Sequence, residues 1–512
     1  MSNKPHVGII GAGLSGLRCA DILIQNGARV TILEARDRIG GRVHQEDFEG
    51  HLVDLGPNWI HGSGENPIMT IAEATKTITY DPQGGMLAFS REGLPLTEDV
   101  ATRVSEFVWS TISEAFEYSN THAETIPPER SLYNFFEEKV EQTQLSSQEK
   151  QLVLDGCKLW GAYVGDSIER QSLKFFRLEE CVDGSNFVVA STYKRILEYV
   201  AKAAQTHADV RLNQPVVSID APPRDSTSAV GQHQVTVQTA SGERYQLDDV
   251  VVTCPLGWLK RNTQAFTPAL PPRLLEAINN ISYGRLEKVY VTFPQAFWHT
   301  ANNPTASSID TPSPQPPATN PVFVQFLQPS YTDHPGLEWN QECLSLSNLP
   351  APCAHPTLLF YTYGACGTHL VTQLADLPPS APEYASILTD FLQPFYARLP
   401  GYDASSPHCT PTALLATRWQ ADPYAGHGSY CNFQVGLARG DRDIEALREG
   451  AGAGPRRGLW FAGEHTAPFV ALGTTTGAYW SGERVAARIC ERRALAGVGV
   501  GGGRDDSLPS GK

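Results

Sequence analysis

Residues 6–34 read HVGIIGAGLSGLRCADILIQNGARVTILE, and this stretch decides the fold. His6 to Ile10 is a short apolar run rich in β-branched residues. Leu14 to Gln25 repeats its apolar positions with helical period and stops at Asn26-Gly27, and Ala28 to Leu33 is a second β run. A strand, a helix and a strand in succession make a β-α-β unit, which predicts a parallel sheet. Between the first strand and the helix stand Gly11, Gly13 and Gly16, spaced G-x-G-x-x-G. Gly11 allows the tight turn, Gly13 lets the backbone approach a pyrophosphate, and Gly16 lets helix and strand pack closely. The helix N-terminus then offers free N–H groups and the positive end of its dipole to an anion. Glu34 closes the second strand where a carboxylate can bind ribose hydroxyls and would repel a 2′-phosphate. The turn predicts a dinucleotide site but does not choose between FAD and NAD.

The next segment, Glu34 to Val43, reads EARDRIGGRV. Gly40-Gly41 bends the chain, and Arg42 can reach the same diphosphate, the plain alternative being a solvated surface charge. Further on, Ala101 to Tyr118 and Ser131 to Gly161 read as helices separated by Pro127-Pro128, and Ser191 to His207 as another. Val210 to Asp220, Gln234 to Thr239, Asp249 to Thr253 and Leu286 to Phe293 read as strands. Ala451 to Arg457 reads as a loop, Leu459 to Ala462 as a short buried strand and Gly477 to Arg492 as a final helix. Residues 300–321, rich in Pro, Ser, Thr and Asn, read as a flexible insertion, and 496–512 as a disordered Gly-rich tail.

Composition excludes several classes. The 512 residues are too many for one simple core and imply two or three domains. A formal net charge of −15 argues against nucleic-acid and anionic-membrane partners, which want a basic face. Ten cysteines stand singly, with no CxxC pair or Cys/His cluster of zinc spacing, so no metal site is expected. The N-terminus lacks the pattern of a secretory signal, no apolar run is long enough to span a membrane, and the C-terminal SGK is not a peroxisomal SKL. These features predict a reduced, intracellular, cytoplasmic protein.

EARDRIGGRV, followed by LGPNWIHG at 55–62, resembles the flavin-containing amine oxidases, the family of polyamine oxidases, monoamine oxidases and lysine-specific histone demethylases. LNQPVVSI (212–219), VVVTCPLGWL (250–259), GRLEKVYVTFPQAFW (284–298) and FAGEHT (461–466) continue the resemblance in the family's order. It implies an α/β fold: a Rossmann-like FAD-binding domain from 1–80, 192–292 and 410–495, interleaved with an α+β substrate-binding domain from 81–191 and 293–409. It implies FAD as cofactor. Gly11, Gly13, Ser15 and Gly16 would cradle the diphosphate, with Gly41 at the bend and Arg42 on phosphate. Glu34 and Arg36 would flank the adenosine ribose, and Val216 would contact the adenine. Pro57, Asn58 and Trp59 would lie near the isoalloxazine, Glu464 would bind the ribityl chain, Thr475 would sit by the pyrimidine end, and Trp419 would pack near the ring. Covalent attachment in monoamine oxidases uses a Cys just before a cage Tyr. Here Ser429 stands at that place in GSYC (428–431), which predicts noncovalent FAD.

The resemblance also places the reacting centre. Lys288 by itself reads as a strand lysine facing solvent. The family's pattern turns it inward, to hold a water against the flavin. Tyr430 would wall the substrate channel and hold an amine by cation–π contact. His61 in WIHG could hydrogen-bond a substrate nitrogen, a core histidine being the alternative. Asp166 lines up with an acid used for a distal ammonium, surface solvation being the simpler reading. Many relatives carry an aromatic in the loop after GEHT. Here APFVALGTTT (467–476) puts Thr474 in its place, which suggests a wider mouth. The implied reaction is oxidation of spermine, spermidine or their acetylated forms: hydride transfer to flavin N5, imine hydrolysis, and reoxidation by O2 to hydrogen peroxide. A lysine-specific histone demethylase-like oxidase, an amine oxidase of secondary metabolism and a flavin-bound scaffold without turnover are the rivals. The histone demethylases usually bear an extra N-terminal helical domain, and here the glycine turn begins at residue 11.

Overall fold

The computed structural model describes residues 4–82, 85–223, 235–299, 320–332 and 341–495. The expected β-α-β unit is present as His6–Ile10, Leu14–Gln25 and Arg29–Leu33. It sits at the centre of a five-stranded parallel sheet. In spatial order the strands are Leu459–Phe461, Asp249–Val252, His6–Ile10, Arg29–Leu33 and Asp209–Arg211. These strands are apolar on both faces because both are covered. On one side the first helix packs against Lys194–His207 and the C-terminal helix Thr475–Arg493. On the other lies a four-stranded sheet around Val216–Asp220 and Val235–Thr239.

A second, six-stranded sheet carries the other half of the molecule. Its spatial order is Ala413–Ala416, Leu286–Thr292, Thr357–Tyr363, Gln341–Ser345, Phe323–Phe326 and Met86–Phe89. Leu286–Thr292 shows why this sheet can hold a site. Val289 and Val291 point to one face, in a core shared with helix Pro382–Tyr396. Lys288 and Tyr290 alternate to the other face, which looks back at the segment following the first β-α-β unit. Beside this sheet, helices Glu98–His122, Leu132–Glu141 and Ser147–Cys157 enclose a core of their own.

Several expectations needed correction. Ser131 to Gly161 is not one helix: the chain breaks after Gln142 and restarts at a capping box of Ser146 with Glu149. Val210 to Asp220 is two strands in different sheets, because Asn213 turns left-handed (φ 56°) and Pro215 has no N–H to give a ladder. Ala451 to Arg457 is helical rather than a loop, a 3-10 turn leading into Ala453–Arg457. The domain limits also shift. Leu286–Thr292 and Ala413–Ala416 were assigned to the FAD-binding half, but both pair within the six-stranded sheet. The expected insertion at 300–321, apart from its last two residues, and the whole tail at 496–512 lie outside the described residues.

Candidate active site

The glycine turn is built for a group larger than itself. Gly11 has φ 103°, and its N–H donates to the Leu33 carbonyl at 2.9 Å. A Cβ at Gly16 would come within 2.2 Å of the Gly11 carbonyl oxygen, so helix and turn touch there. Gly13 is the opposite case. It is the helix N-cap, no side chain caps it, and a Cβ on it would meet nothing within 4 Å. Uncapped first-turn N–H groups facing open space are what a diphosphate requires. Gly40-Gly41 folds back onto this turn: the Gly40 N–H donates to the Ala12 carbonyl at 2.8 Å, and Gly41 faces Gly13. Ser15 is buried against Ser481, their hydroxyls 3.0 Å apart. The Glu34 carboxylate accepts from the backbone N–H groups of Ala12 (2.7 Å) and Arg36 (2.9 Å), so it is held rigidly at the strand end. The backbone N–H groups of Asn213 and Gln214, just before Val216, donate to the carbonyls of Arg36 and Glu34. Arg36 pairs with Asp422 at 2.8 Å and lies over the Tyr424 ring.

Arg42 and Glu464, 422 residues apart, meet at 3.1 Å, and Arg42 also donates to the Tyr283 hydroxyl at 3.1 Å. Burial raises the Glu464 carboxyl, but Arg42 and His465 outweigh it and hold the group below its ordinary value. His465 is buried, burial lowers its pKa to about 4, and neither ring nitrogen has a hydrogen-bond partner among the described residues. Buried polar groups are partnered in folded proteins. An orphaned imidazole beside Glu464, an uncapped helix N-terminus and the open space at Gly13 all fit a large polar cofactor.

The reacting centre is assembled from both halves. The Lys288 ammonium donates to the carbonyls of Asp54 (3.1 Å) and Gly56 and to Asn58 Oδ1 (2.9 Å). Burial lowers its pKa, and Asp54 partly restores it. Asn58 Nδ2 and Trp59 Nε1 both donate to the Tyr361 hydroxyl, at 2.8 and 3.1 Å, and Pro57 lies between Gly56 and Asn58. Tyr193 links the centre to the C-terminal helix: its N–H donates to the Asp54 carboxylate, its hydroxyl donates to the Trp59 carbonyl at 2.6 Å, and it lies 3.2 Å from the Thr475 hydroxyl. Trp419 donates from Nε1 to the Leu55 carbonyl at 3.1 Å, and its backbone is pinned by the Glu287 carboxylate. The Tyr430 hydroxyl donates to the Tyr163 carbonyl, and its ring lies against Gly473.

Two candidates are engaged by neighbours of their own, and a third, His61, is half-buried. Asp166 is engaged by Arg285 (3.2 Å), Gln434 (2.9 Å) and the Ser167 N–H (2.9 Å), with Arg170 at 3.6 Å. Those cations and donors give it a structural task. Thr474 is the N-cap of the C-terminal helix, its hydroxyl accepting from the Gly477 N–H at 2.9 Å and donating to the Ala471 carbonyl at 2.8 Å. His61 is half-buried beside Asn186, and burial lowers its pKa. Sequence reasoning missed Asp54, whose carbonyl accepts from Lys288, and Tyr361, whose hydroxyl accepts from Asn58 and Trp59. Tyr361 could be found only by knowing which strand pairs with the lysine strand. Among the described residues no group of three or more metal-ligating side chains comes together, and no helix is long and apolar enough to cross a membrane.

A parallel-sheet nucleotide cradle facing a mixed sheet that supplies a buried lysine defines a flavoprotein oxidoreductase. The chain belongs to the family of flavin containing amine oxidoreductases, whose model matches residues 14–490. Its cofactor is FAD and it is an amine oxidase. It is 27% identical to polyamine oxidase 4 of Oryza sativa subsp. japonica, over 98% of this chain and 91% of that protein. It is 25% identical to the peroxisomal N(1)-acetyl-spermine/spermidine oxidase of Bos taurus, over 95% and 94%. It is 28% identical to protein FLOWERING LOCUS D of Arabidopsis thaliana, over 97% of this chain but 57% of that longer protein. A solved double mutant of putrescine oxidase superposes with a TM-score of 0.65 at 18% identity, covering 96% of this chain and 99% of its own, and so shares the fold.

Proposed function

We propose that this chain oxidises polyamines, spermine, spermidine or their acetylated forms. The observation that carries the reading is the aromatic and polar face around Lys288: a lysine buried at the junction of the two halves, 6.0 Å from the centre of the Tyr361 ring, whose hydroxyl accepts from Trp59. Relatives named as polyamine oxidases aligned over nearly the full length support it. When bound, FAD supplies a two-electron oxidant that takes hydride from the carbon beside the amine nitrogen and passes the electrons to O2.

The chain's own residues do the rest. Gly13, Glu34, Arg42 and Glu464 hold the cofactor. Tyr430, its hydroxyl tied to Tyr163, offers a ring face to the cationic substrate. His61, neutral at pH 7 because burial lowers its pKa, accepts a hydrogen bond from the substrate nitrogen at a ring nitrogen. In the neutral form that burial favours, Lys288 gives up one of its three hydrogen bonds and gains a lone pair, so that Nζ can take a proton from the water that hydrolyses the imine. Ser429 stands where the covalent relatives carry a cysteine, so FAD is noncovalent and acid precipitation releases it into the supernatant. The test of substrate is peroxide formation by the purified yellow protein with spermine, N-acetylated polyamines, benzylamine and a methylated histone peptide. Polyamine-selective turnover is expected. Turnover of the peptide alone sinks the reading in favour of a histone demethylase-like oxidase.

A further inference from the structure

The residue before Lys288 is a carboxylate with no task in the scheme above. Glu287 alternates to the opposite side of its strand, the side of Val289 and Val291. It is 2% exposed and makes no ion pair among the described residues. Donors surround it instead. Oε2 accepts from the Thr417 hydroxyl at 2.5 Å and from the Trp419 N–H at 3.0 Å, and Oε1 accepts from the Gln420 N–H at 2.8 Å. The two N–H groups open the 3-10 turn Trp419–Ala421, where no partner within the turn can reach them and the side chain of Arg418 does not cap them. Burial raises the carboxyl to about 7, and the hydrogen bonds from Thr417, Gln420 and Trp419 pull it back. A carboxylate buried without a cation is costly, and here three donors offset that cost.

These bonds belong to a closed circuit around Lys288. The Lys288 N–H donates to the Thr417 hydroxyl at 2.8 Å, and the Thr417 N–H donates back to the Lys288 carbonyl at 2.9 Å. The Thr417 hydroxyl donates in turn to Glu287, and Glu287 fixes the backbone of Trp419. The Trp419 indole N–H reaches the Leu55 carbonyl at 3.1 Å. The next carbonyl along the chain, that of Gly56, accepts from Lys288 Nζ. The circuit thus begins at the main chain of Lys288 and returns to its ammonium group.

We infer that Glu287 is a positioning residue for Lys288: its carboxylate sets the turn that holds Trp419, and Trp419 sets the Leu55–Gly56 segment against which Nζ lies. This rests on the reading of Lys288 as a proton-handling group. Glutamine at 287 fills the same space but has one accepting oxygen in place of two, and its NH2 group would face a backbone N–H. One N–H of the turn then loses its acceptor, and the indole is released from its fixed place against Leu55. Lys288 keeps its amine and loses its aim. A misplacement of ~1 Å at a reacting centre costs ~100-fold in rate.

The experiment is a double-mutant cycle of Glu287→Gln and Lys288→Met, read on the holoenzyme by stopped flow and on the apoprotein by urea melts. Flavin reduction by spermine and reoxidation of the dithionite-reduced protein by O2 are followed per bound flavin, and the step that Lys288→Met slows is the one compared. Glu287→Gln is expected to slow that step by about 10- to 100-fold in the wild-type background, and by less than about 2-fold in the Lys288→Met background. The urea midpoint of the apoprotein should fall by the same amount in both, because the hydrogen bonds lost from the turn do not involve the lysine side chain. A residue that served the fold alone would lose rate equally in both backgrounds. That result, or no rate loss in either, overturns the role of Glu287 and leaves that of Lys288 standing. Wild-type kinetics in Lys288→Met overturn both. Should Glu287→Gln fail to fold, Thr417→Val runs the same cycle. It cuts the link between the Lys288 N–H and the carboxylate and leaves the turn capped, so a rate loss confined to the background that keeps the lysine is expected, and wild-type rates overturn the proposal.

Discussion

Lys288→Met separates a catalytic lysine from a structural one. Methionine is unbranched and of similar reach, so the space stays filled. Three acceptors lose their donor, but not equally. The Asp54 carbonyl keeps the Tyr290 hydroxyl at 2.6 Å, and Asn58 Oδ1 keeps the Tyr361 hydroxyl at 3.3 Å. Only the Gly56 carbonyl is left without a partner among the described residues, and one unsatisfied buried acceptor costs about 1–3 kcal/mol. Removing an amine whose charged form burial disfavours offsets part of that. The expected loss of stability is therefore under ~2 kcal/mol. Loss of a proton-handling group at the reacting centre costs ~100- to 10,000-fold in rate, or about 3–5 kcal/mol, so the two effects can be told apart. The pH behaviour carries a sign as well. The folded lysine has a lowered pKa, so between that value and its ordinary 10.5 the unfolded chain binds a proton that the folded chain does not. Wild-type stability should rise with pH across that window, and the methionine variant should lack this rise. Anaerobic stopped-flow reduction, reoxidation by O2 and urea melts at pH 7 and 9 measure all three. A variant with wild-type kinetics in both half-reactions refutes the role of Lys288, as does a rate loss that only tracks lost flavin.

Four further outcomes are expected. Gly13→Ala should fold, since its Cβ meets nothing, yet lose flavin; Gly16→Ala should destabilise even the apoprotein, since its Cβ would strike the Gly11 carbonyl. Flavin absorbance and thermal melts of both apo and holo forms decide it, and normal flavin content in Gly13→Ala would count against the cradle. Asp166→Asn should lower the melting temperature by breaking its contacts with Arg285 and Arg170 and leave the KM for polyamines unchanged; a selective KM increase would return Asp166 to the substrate site. The Glu342 carboxyl is raised from 4.5 to about 7 in the fold, so the stability its protonated form contributes is complete below 4.5 and lost as pH rises through about 7. Glu342→Gln should therefore gain on wild type between pH 5 and pH 8, by at most ~3 kcal/mol, and parallel urea melts at the two pH values would disprove this. A polyamine that reacts as its neutral base gives up a proton from the reacting nitrogen, so its binding at pH 7 should release protons, seen as a calorimetric heat that varies with buffer ionisation enthalpy.

The nucleotide half was legible because its signals are local. Gly11, Gly13, Gly16 and Glu34 act within one β-α-β unit, and the bounds of its first strand and helix agree with the reading. The catalytic face was legible only in part. Lys288 could be named from the motif around it, but its neighbour Tyr361 lies 73 residues further along the chain and meets it only through strand register. Arg42 and Glu464 are a similar case: each was named, but their pairing at 3.1 Å depends on the tertiary fold. Asp166 shows what the sequence leaves out. A carboxylate in a plausible position says nothing about its partners, and only the packing reveals that Arg285 and Gln434 engage it. The break at Asn213 was missed because the β-rich residues on either side masked a left-handed turn.

The charges inside the site bear on what it binds. Near the reacting centre lie three buried or half-buried carboxyls: Asp54, Glu179 and Glu342. Burial is the first cause of a raised pKa in each. Lys288 is the one cation that acts on any of them, and it acts on Asp54. Glu179 is held by Gln171 and the Phe433 N–H at 3.3 Å, and it is the carboxyl with the greatest influence on Tyr430. Other buried carboxylates do meet a cation: Asp249 meets Arg493, and Asp443 meets Arg273. A monoamine that reacts as its neutral base would leave both Glu179 and Glu342 uncompensated. A polyamine brings a neutral nitrogen to the oxidant and further ammonium groups to the carboxyls. The shortage of positive charge in the wall is in keeping with the substrate class proposed.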